Sequence, residues 1–387
     1  MSGFAPLAGI RVVDCSHILA GPYGTYLLAL LGAEVIKVEP PGVGDWTRGR
    51  GLSAELAAQK MGVSFLTQNA QKRSVEIDLK SPDGRERLLA LVAGAQVFVE
   101  NFRPGKAAKL GLGWDELRAI NPRLVYCSIS GYGQTGDFAP RGAYDHVVQA
   151  VSGMMSMVGT KESGPTKIGF PAVDYAAGLY AALGIMAALR DAEATGRGHY
   201  VDVAMMDAAM MLMAPVFAAI PNAGWEPQPM GNAPWSRAPS AGVFDTADGR
   251  LSLAANTVGQ FEGLCRGLGR ADILEDPRWS TLEARAENGD ALRAEIGCVL
   301  MQDTALAWEG RLSAEGVPCG KVRKPDEVLA EPHVAARELF ATLAHARIGR
   351  PVTYPTAGFR VDGAAVAPTR GAPCLGEDND WLDSTIS

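Results

Sequence analysis

The sequence predicts an α/β protein, with a doubly wound, parallel-sheet domain at the N-terminus and a smaller α+β domain after it. Three observations predict this. Short apolar runs alternate with helical stretches over the first 130 residues. The chain has 387 residues, too many for one module at about 150 residues per domain. With 47% hydrophobic and 20% charged residues it can fill a large core and does not read as disordered.

The elements follow in order. Residues 10–14 (IRVVD) suit a buried strand. Gly21-Pro22 breaks the chain before a helix over 23–31, which Gly32 stops. Residues 34–39 (EVIKVE) alternate as a strand does. This β-α-β unit implies a right-handed crossover and parallel pairing. The pattern repeats with a strand at 74–79, a helix opened by Ser81-Pro82-Asp83, a strand at 96–100, a helix at 115–120 and a strand at 123–130. Helical spacing covers 144–157, 175–190 and the Met-rich stretch 204–219, with a short strand at 200–203. The Pro- and Gly-rich segment 221–239 reads as loop and marks a domain boundary. A hairpin around Asp248-Gly249 opens the second domain, and helices are expected at 258–268, 282–301 and 304–315. From Pro325 on, the chain reads as mixed loop and helix.

Net charge is −7, which argues against nucleic-acid binding but allows an anionic small ligand. The charge-free stretch 175–189 has fifteen residues, short of the ~18 of a membrane span. No leader pattern opens the chain, so a cytoplasmic protein without membrane or nucleic-acid partners is expected. Six scattered cysteines form no CxxC and five histidines show no ligand spacing, so no metal site is expected.

Several features point toward chemistry. Residues 131–136 match GxGxxG after a strand, but the loop-like Asp137–Arg141 follows where a dinucleotide site needs a helix. Asp174 precedes a long apolar helix, where it reads either as a cap or as a nucleophile kept ionised by the helix N-terminus. Asp145 and His146 open another helix, as a cap and an ordinary histidine or as a proton-transfer pair. Arg48, Arg50, Arg103, Lys106 and Lys109 follow predicted strands. Ligand crevices of open α/β sheets form there, so these cations read as a phosphate site or as a solvated face. No GxSxG and no P-loop occurs.

Blocks that run in order along the chain carry a resemblance. They include PLAGIRVVDCSHILAGPYGTYLLALLGAEVIKVEPPGVGDWTRGRG (6–51), QKRSVEIDLKSPDGRERL (71–88), VENFRPGKAAKLGLGWDEL (99–117), LVYCSISGYGQTG (124–136), YDHVVQAVSGMMSMVG (144–159), VDYAAGLYAALGIMAAL (173–189) and TGRGHYVDVAMMDA (195–208). These resemble the family III CoA-transferases, which also include α-methylacyl-CoA racemases. The resemblance implies a Rossmann-like large domain (1–205, completed by 326–387), a linker (206–235), a small α+β domain (236–325) and an interlocked-ring homodimer. It implies no permanently bound cofactor, with CoA or acyl-CoA and a small carboxylic acid as substrates.

The family's catalytic aspartate falls on Asp174. Its CoA contacts fall on Leu19, Ala20, Asn69, Ala70, Gln71, Asn101, Phe102, Arg103, Lys109, Tyr144 and Asp145. The resemblance thus implies transfer through an aspartyl anhydride and an aspartyl-CoA thioester, with succinyl-CoA as a candidate donor. Leu19 and Pro40 depart from the formyl-CoA transferases, and Gly231-Asn232 lacks their glycine-run lid. The alternatives are a 2-methylacyl-CoA racemase, whose Gly-His-Asp motif reads Ala143-Tyr144-Asp145 here, and a non-catalytic CoA-binding protein in which Asp174 only caps a helix.

Overall fold

A computed structural model describes residues 3–386. The chain forms two compact units. The first holds the chain up to Met155, Lys167–Pro227 and the chain from Pro332 on; the second holds Ser156–Thr166 and Gln228–Glu331. Residues 206–235 thus divide between the two.

The first unit is built on six strands: β1 (Arg11–Asp14), β2 (Glu34–Glu39), β3 (Arg73–Glu76), β4 (Val97–Glu100), β5 (Val125–Ser130) and β6 (His199–Ala204). Every pairing is parallel, and the order is β3-β2-β1-β4-β5-β6. This is the doubly wound order, with a reversal between β1 and β4. β4 and β5 are buried along their whole length, because helices cover both faces of such a sheet. The alternation in β2 has another cause: Lys37 and Glu39 are fully buried. Lys37 pairs with Asp45 at 3.0 Å and Glu39 with Arg48 at 2.7 Å.

The long helix Ala172–Thr195 lies on one face against helix Ala20–Leu30. Two glycines set that approach: a Cβ on Gly24 would sit 2.9 Å from the Gly178 carbonyl oxygen, and one on Gly178 would sit 2.7 Å from the Ala20 oxygen. The helix has 24 residues and a window of mean hydropathy 1.5, enough by length and composition to cross a membrane, because it runs at both ends past the charge-free stretch 175–189, which alone is short of a span. Half of that window is buried inside the protein.

Some boundaries move. Gly21-Pro22 does not break the chain but lies in the first turn of helix Ala20–Leu30, where proline's missing N–H is harmless. The helical stretch 144–157 splits into Asp145–Val151 and Met154–Met157 around Gly153, which takes a positive φ of 81°. The stretch 204–219 becomes Met205–Leu212 and Ala214–Ala223, bent by 68°. Pro215 follows the bend and has no N–H for the preceding turn. Pro221, expected in a loop, stays inside the second of these helices. The C-terminal segment holds an antiparallel hairpin, Phe340–His345 with Arg350–Pro355. Its Val352 and Tyr354 pack on Tyr26, Leu30 and Phe65.

The second unit has an antiparallel sheet of β7 (Ala241–Asp245), β8 (Arg250–Ala254) and β9 (Cys319–Lys321). Asp248-Gly249 turns the expected hairpin. Helix Val258–Leu268 begins with a capping box of Thr257 and Gln260. The single helix expected over 282–301 is two, Leu282–Glu287 and Gly289–Leu300, parted at Asn288. Phe261, Leu264, Leu292, Ile296 and Trp308 fill its core.

Candidate active site at the carboxyl ends of the sheet

The reversal between β1 and β4 opens a crevice at the strands' carboxyl ends, the place where open α/β sheets take ligands. A cavity of about 440 Å³ lies there. Its walls are residues 17–20 after β1, 101–104 after β4, 129–131 at the end of β5, the segment 141–144, Asp174 and Met205. A second cavity of about 500 Å³ lies over the ends of β2 and β3, bordered by Pro40, Pro41, Leu79, Lys80 and Lys106. His17 and Phe102 border both.

The two loops at the reversal are tied together. The His17 N–H donates to Asn101 Oδ1 at 2.8 Å, and Asn101 Nδ2 donates to the His17 carbonyl at 2.7 Å. The Phe102 N–H donates to the buried Glu100 carboxylate at 2.6 Å. Burial raises the Glu100 pKa above its ordinary value despite this bond and the one from Ser128.

Asp174 lies in the first turn of helix Ala172–Thr195, and Pro171 occupies the cap position. Its side chain caps nothing there. The capping carboxylate is Asp145, whose Oδ2 accepts the N–H groups of Val173 (2.8 Å) and Asp174 (3.2 Å). Gln149 holds Asp145 in place, with Nε2 donating to Asp145 Oδ1 at 2.6 Å and Oε1 accepting the Ile168 N–H at 2.8 Å. Burial, and after it the Asp145 charge, push the Asp174 carboxyl up to about 7 from its ordinary 3.8. A carboxyl with that pKa is a working nucleophile or base near neutral pH.

The structure brings Leu19, Ala20, Asn101, Phe102, Arg103, Tyr144 and Asp174 into one cavity wall. Asp145 stands behind it as the cap. Lys109 borders neither cavity, and Lys106 on the same short helix borders the second one, over the Phe102 ring at 4.6 Å. Asn69, Ala70 and Gln71 are turned elsewhere. Asn69 and Ala70 are fully buried, with Asn69 Oδ1 accepting from Lys72 Nζ. Gln71 Oε1 accepts the Thr369 and Arg370 N–H groups of the C-terminal segment, both at 2.9 Å. Arg48 is consumed by Glu39 in the interior, and Arg50 lies over Trp46. His146 is exposed and borders neither cavity. Residues 131–136 form turns with no helix before Asp145, so the GxGxxG match builds no helix-borne phosphate site.

Among the wall residues not singled out from the sequence, two carry ionisable side chains, His17 and Arg141. His17 carried no motif, and Arg141 sat in a stretch read only as loop. Arg141 stacks on Phe138 with 3.6 Å to the ring centre. A cavity holding a carboxyl of raised pKa and the guanidinium groups of Arg103 and Arg141 can bind an anionic substrate and form a covalent acyl adduct on the carboxyl.

Comparison with known proteins gives the following. The family model for CoA-transferase family III matches residues 7–379. A succinate–glutarate CoA-transferase of Agrobacterium fabrum is 38% identical over 342 residues, which is 86% of this chain and 84% of that protein. The human succinyl-CoA:glutarate CoA-transferase is 33% identical over 380 residues, 97% of this chain and 85% of that one. A CaiB/BaiF family protein from Brucella suis superposes with a TM-score of 0.86 at 33% identity, covering 99% of both chains.

Proposed function

The chain belongs to CoA-transferase family III, and from that premise we propose that it moves CoA from a short dicarboxylic acyl-CoA, succinyl-CoA foremost, to a second carboxylic acid through Asp174. The position of Asp174 carries this reading: a carboxyl with a pKa near 7, at a helix N-terminus, in the wall of the crevice at the strand reversal. The relatives named for succinyl-CoA with glutarate, D-citramalate or mesaconate support the choice of donor.

In the proposed reaction the Asp174 carboxylate attacks the thioester carbonyl. The C–S bond breaks, CoA leaves as thiolate, and an aspartyl–acyl anhydride remains. The thiolate then attacks the aspartyl carbonyl, releasing the donor acid as carboxylate and leaving an aspartyl-CoA thioester. The acceptor carboxylate attacks that thioester, and the returning thiolate takes the acceptor acyl group from the new anhydride. Each step exchanges one acyl bond for another, so the thioester's free energy is kept. The first-turn amides of helix Ala172–Thr195 are taken by Asp145, so burial and the Asp145 charge set the ionisation of the carboxylate, which is available as a nucleophile near neutral pH. Arg103 and Arg141 supply the cations that CoA phosphates or a substrate carboxylate need.

The racemase alternative asks for a histidine base beside the aspartate. Tyr144 stands at that position, and His146 is outside the cavity wall. A cap-only role for Asp174 is disfavoured because Asp145 does the capping.

A homodimer is part of the proposal. Helix Ala172–Thr195 and its neighbours expose Leu179, Leu183 and Leu212, each more than half exposed, around an apolar cavity of about 670 Å³. A contiguous apolar face of this kind suits a second copy of the chain, interlocked as in the family. Transfer assays with succinyl-CoA and a panel of acceptor acids, read by mass spectrometry, test the activity. Appearance of the acceptor's CoA thioester is expected; α-proton exchange into a 2-methylacyl-CoA with no transfer is the contrary result.

A further inference from the structure

Ile18 has a φ of 73°. For a β-branched residue the left-handed region is a true outlier, held only where surrounding contacts enforce it. Ile18 lies in the loop that borders the cavity. The restraint comes from residue 45: the Ile18 N–H donates to Asp45 Oδ2 at 3.1 Å. The preceding residue is restrained too, since His17 Nδ1 lies 3.6 Å from the same carboxylate and the Asn101 clamp fixes its backbone.

The carboxylate is itself built in. Asp45 is 1% exposed. Its Oδ2 pairs with Lys37 Nζ at 3.0 Å, and its Oδ1 accepts the Thr47 N–H at 2.8 Å and the Thr47 hydroxyl at 2.7 Å. Its own N–H donates to Glu39 Oε1 at 2.8 Å. Lys37 Nζ also donates to the Ser16 carbonyl at 2.8 Å, so one ion pair grips the loop on both sides of His17. Burial opposes the charge on Asp45, yet Lys37, His17 and Thr47 hold its carboxyl well below the usual range.

We propose that Asp45 is a positioning residue for CoA transfer, its carboxylate holding Ile18 in the left-handed conformation that sets the wall formed by residues 17–20. The proposal rests on the reading of the crevice as the CoA site. Without the carboxylate, the Ile18 N–H loses its partner and the residue relaxes toward extended backbone, displacing Leu19 and Ala20.

The test measures the succinyl-CoA KM and kcat with glutarate as acceptor, the Kd of CoA by calorimetry, and the melting temperature. Asp45→Ala is expected to raise both KM and Kd about tenfold or more with kcat within about threefold. Asp45→Asn, whose amide oxygen still accepts from Ile18, should lose less. Ile18→Gly placed in the Asp45→Ala protein should recover most of the loss, because glycine takes positive φ without strain. If Asp45→Ala does not fold with Lys37 stranded, Lys37→Met/Asp45→Ala serves in its place. A lowered melting temperature with Kd and KM within about twofold of wild type would reduce Asp45 to a structural part and overturn the proposal. Failure of Ile18→Gly to recover binding overturns it as well. A wild type that binds CoA but does not transfer from succinyl-CoA overturns the proposed donor instead, and the role of Asp45 is then decided by Kd.

Discussion

The Asp145 carboxylate caps the helix that carries Asp174, accepting the Val173 and Asp174 N–H groups at 2.8 and 3.2 Å. The same charge acts on Asp174 in two ways. It fixes the first turn on which Asp174 sits, and after burial it is the second cause of the raised Asp174 pKa. One carboxylate therefore fixes the place of the other and adds to the effect of burial on its ionisation.

The pH profile follows from that pairing. In the proposed reaction the carboxylate form of Asp174 attacks, so kcat/KM should fall as pH drops below about 7. Asp145→Asn removes the like charge and leaves an amide oxygen that still caps. Its acidic limb should move to lower pH. A limb that stays in place in Asp145→Asn, measured from pH 5 to 9 with the buffer's own effects subtracted, would remove Asp145 from the ionisation of Asp174.

Stability should move the opposite way from activity. Asp174 has its folded pKa raised above the ordinary 3.8, so the native state holds its proton more tightly than the unfolded chain. Stability from this group is complete below pH 4 and is lost as pH rises through about 7. Asp174→Asn, which never ionises, should be more stable than wild type at pH 8, by about 2 °C in Tm after allowing for the group's partial exposure. At pH 4 the two should melt together. A variant less stable at pH 8 contradicts the desolvation of this carboxyl.

Gly178 controls the approach of the two helices beside the site. A side chain there meets the Ala20 carbonyl oxygen and the Tyr23 ring, and Ala20 borders the cavity. Gly178→Val should lower kcat/KM about a hundredfold, the scale expected when reacting groups shift by an ångström. Unchanged kinetics would mean that the wall tolerates the separation.

The ion pair under the second cavity is structural. Arg48 and Glu39 are both fully buried; Arg48 also donates to the Pro373 carbonyl at 3.2 Å and lies over Phe65. Arg48→Met leaves Glu39 unpaired and should cost about 3–5 kcal/mol in denaturant unfolding. Adding Glu39→Gln should return part of it. Equal stability of Arg48→Met and wild type would contradict the burial of the pair.

The alternation of apolar runs and helices made the parallel sheet legible, and β2 falls on residues 34–39 as expected. Its chemistry was not legible. EVIKVE has the pattern of a half-solvated strand, but Lys37 and Glu39 face Asp45 and Arg48, which the strand pattern does not reveal. Arg48 for the same reason read as a free cation. The C-terminal hairpin was missed because its period-2 signal is diluted by Ala and Pro and its partners Tyr26 and Phe65 lie about three hundred residues away in sequence. In the site, Asp174 and the loops at 19–20 and 101–103 were legible through family resemblance. The Asp145 cap was not, because it joins helices 28 residues apart by side chain to backbone. Ile18 carries no sequence sign of its left-handed backbone, since Asn, Asp or Gly would mark such a position and isoleucine does not.

The central claim is the covalent role of Asp174, and trapping on the enzyme tests it most directly. Wild type and Asp174→Ala are incubated with succinyl-CoA, quenched with hydroxylamine, digested and mapped by mass spectrometry. A hydroxamate on Asp174 of the wild type, its absence from Asp174→Ala and a loss of transfer of about a thousandfold or more in that variant are the predicted results. Transfer that persists in Asp174→Ala, or a hydroxamate on another carboxyl with Asp174 unmodified, would contradict the account.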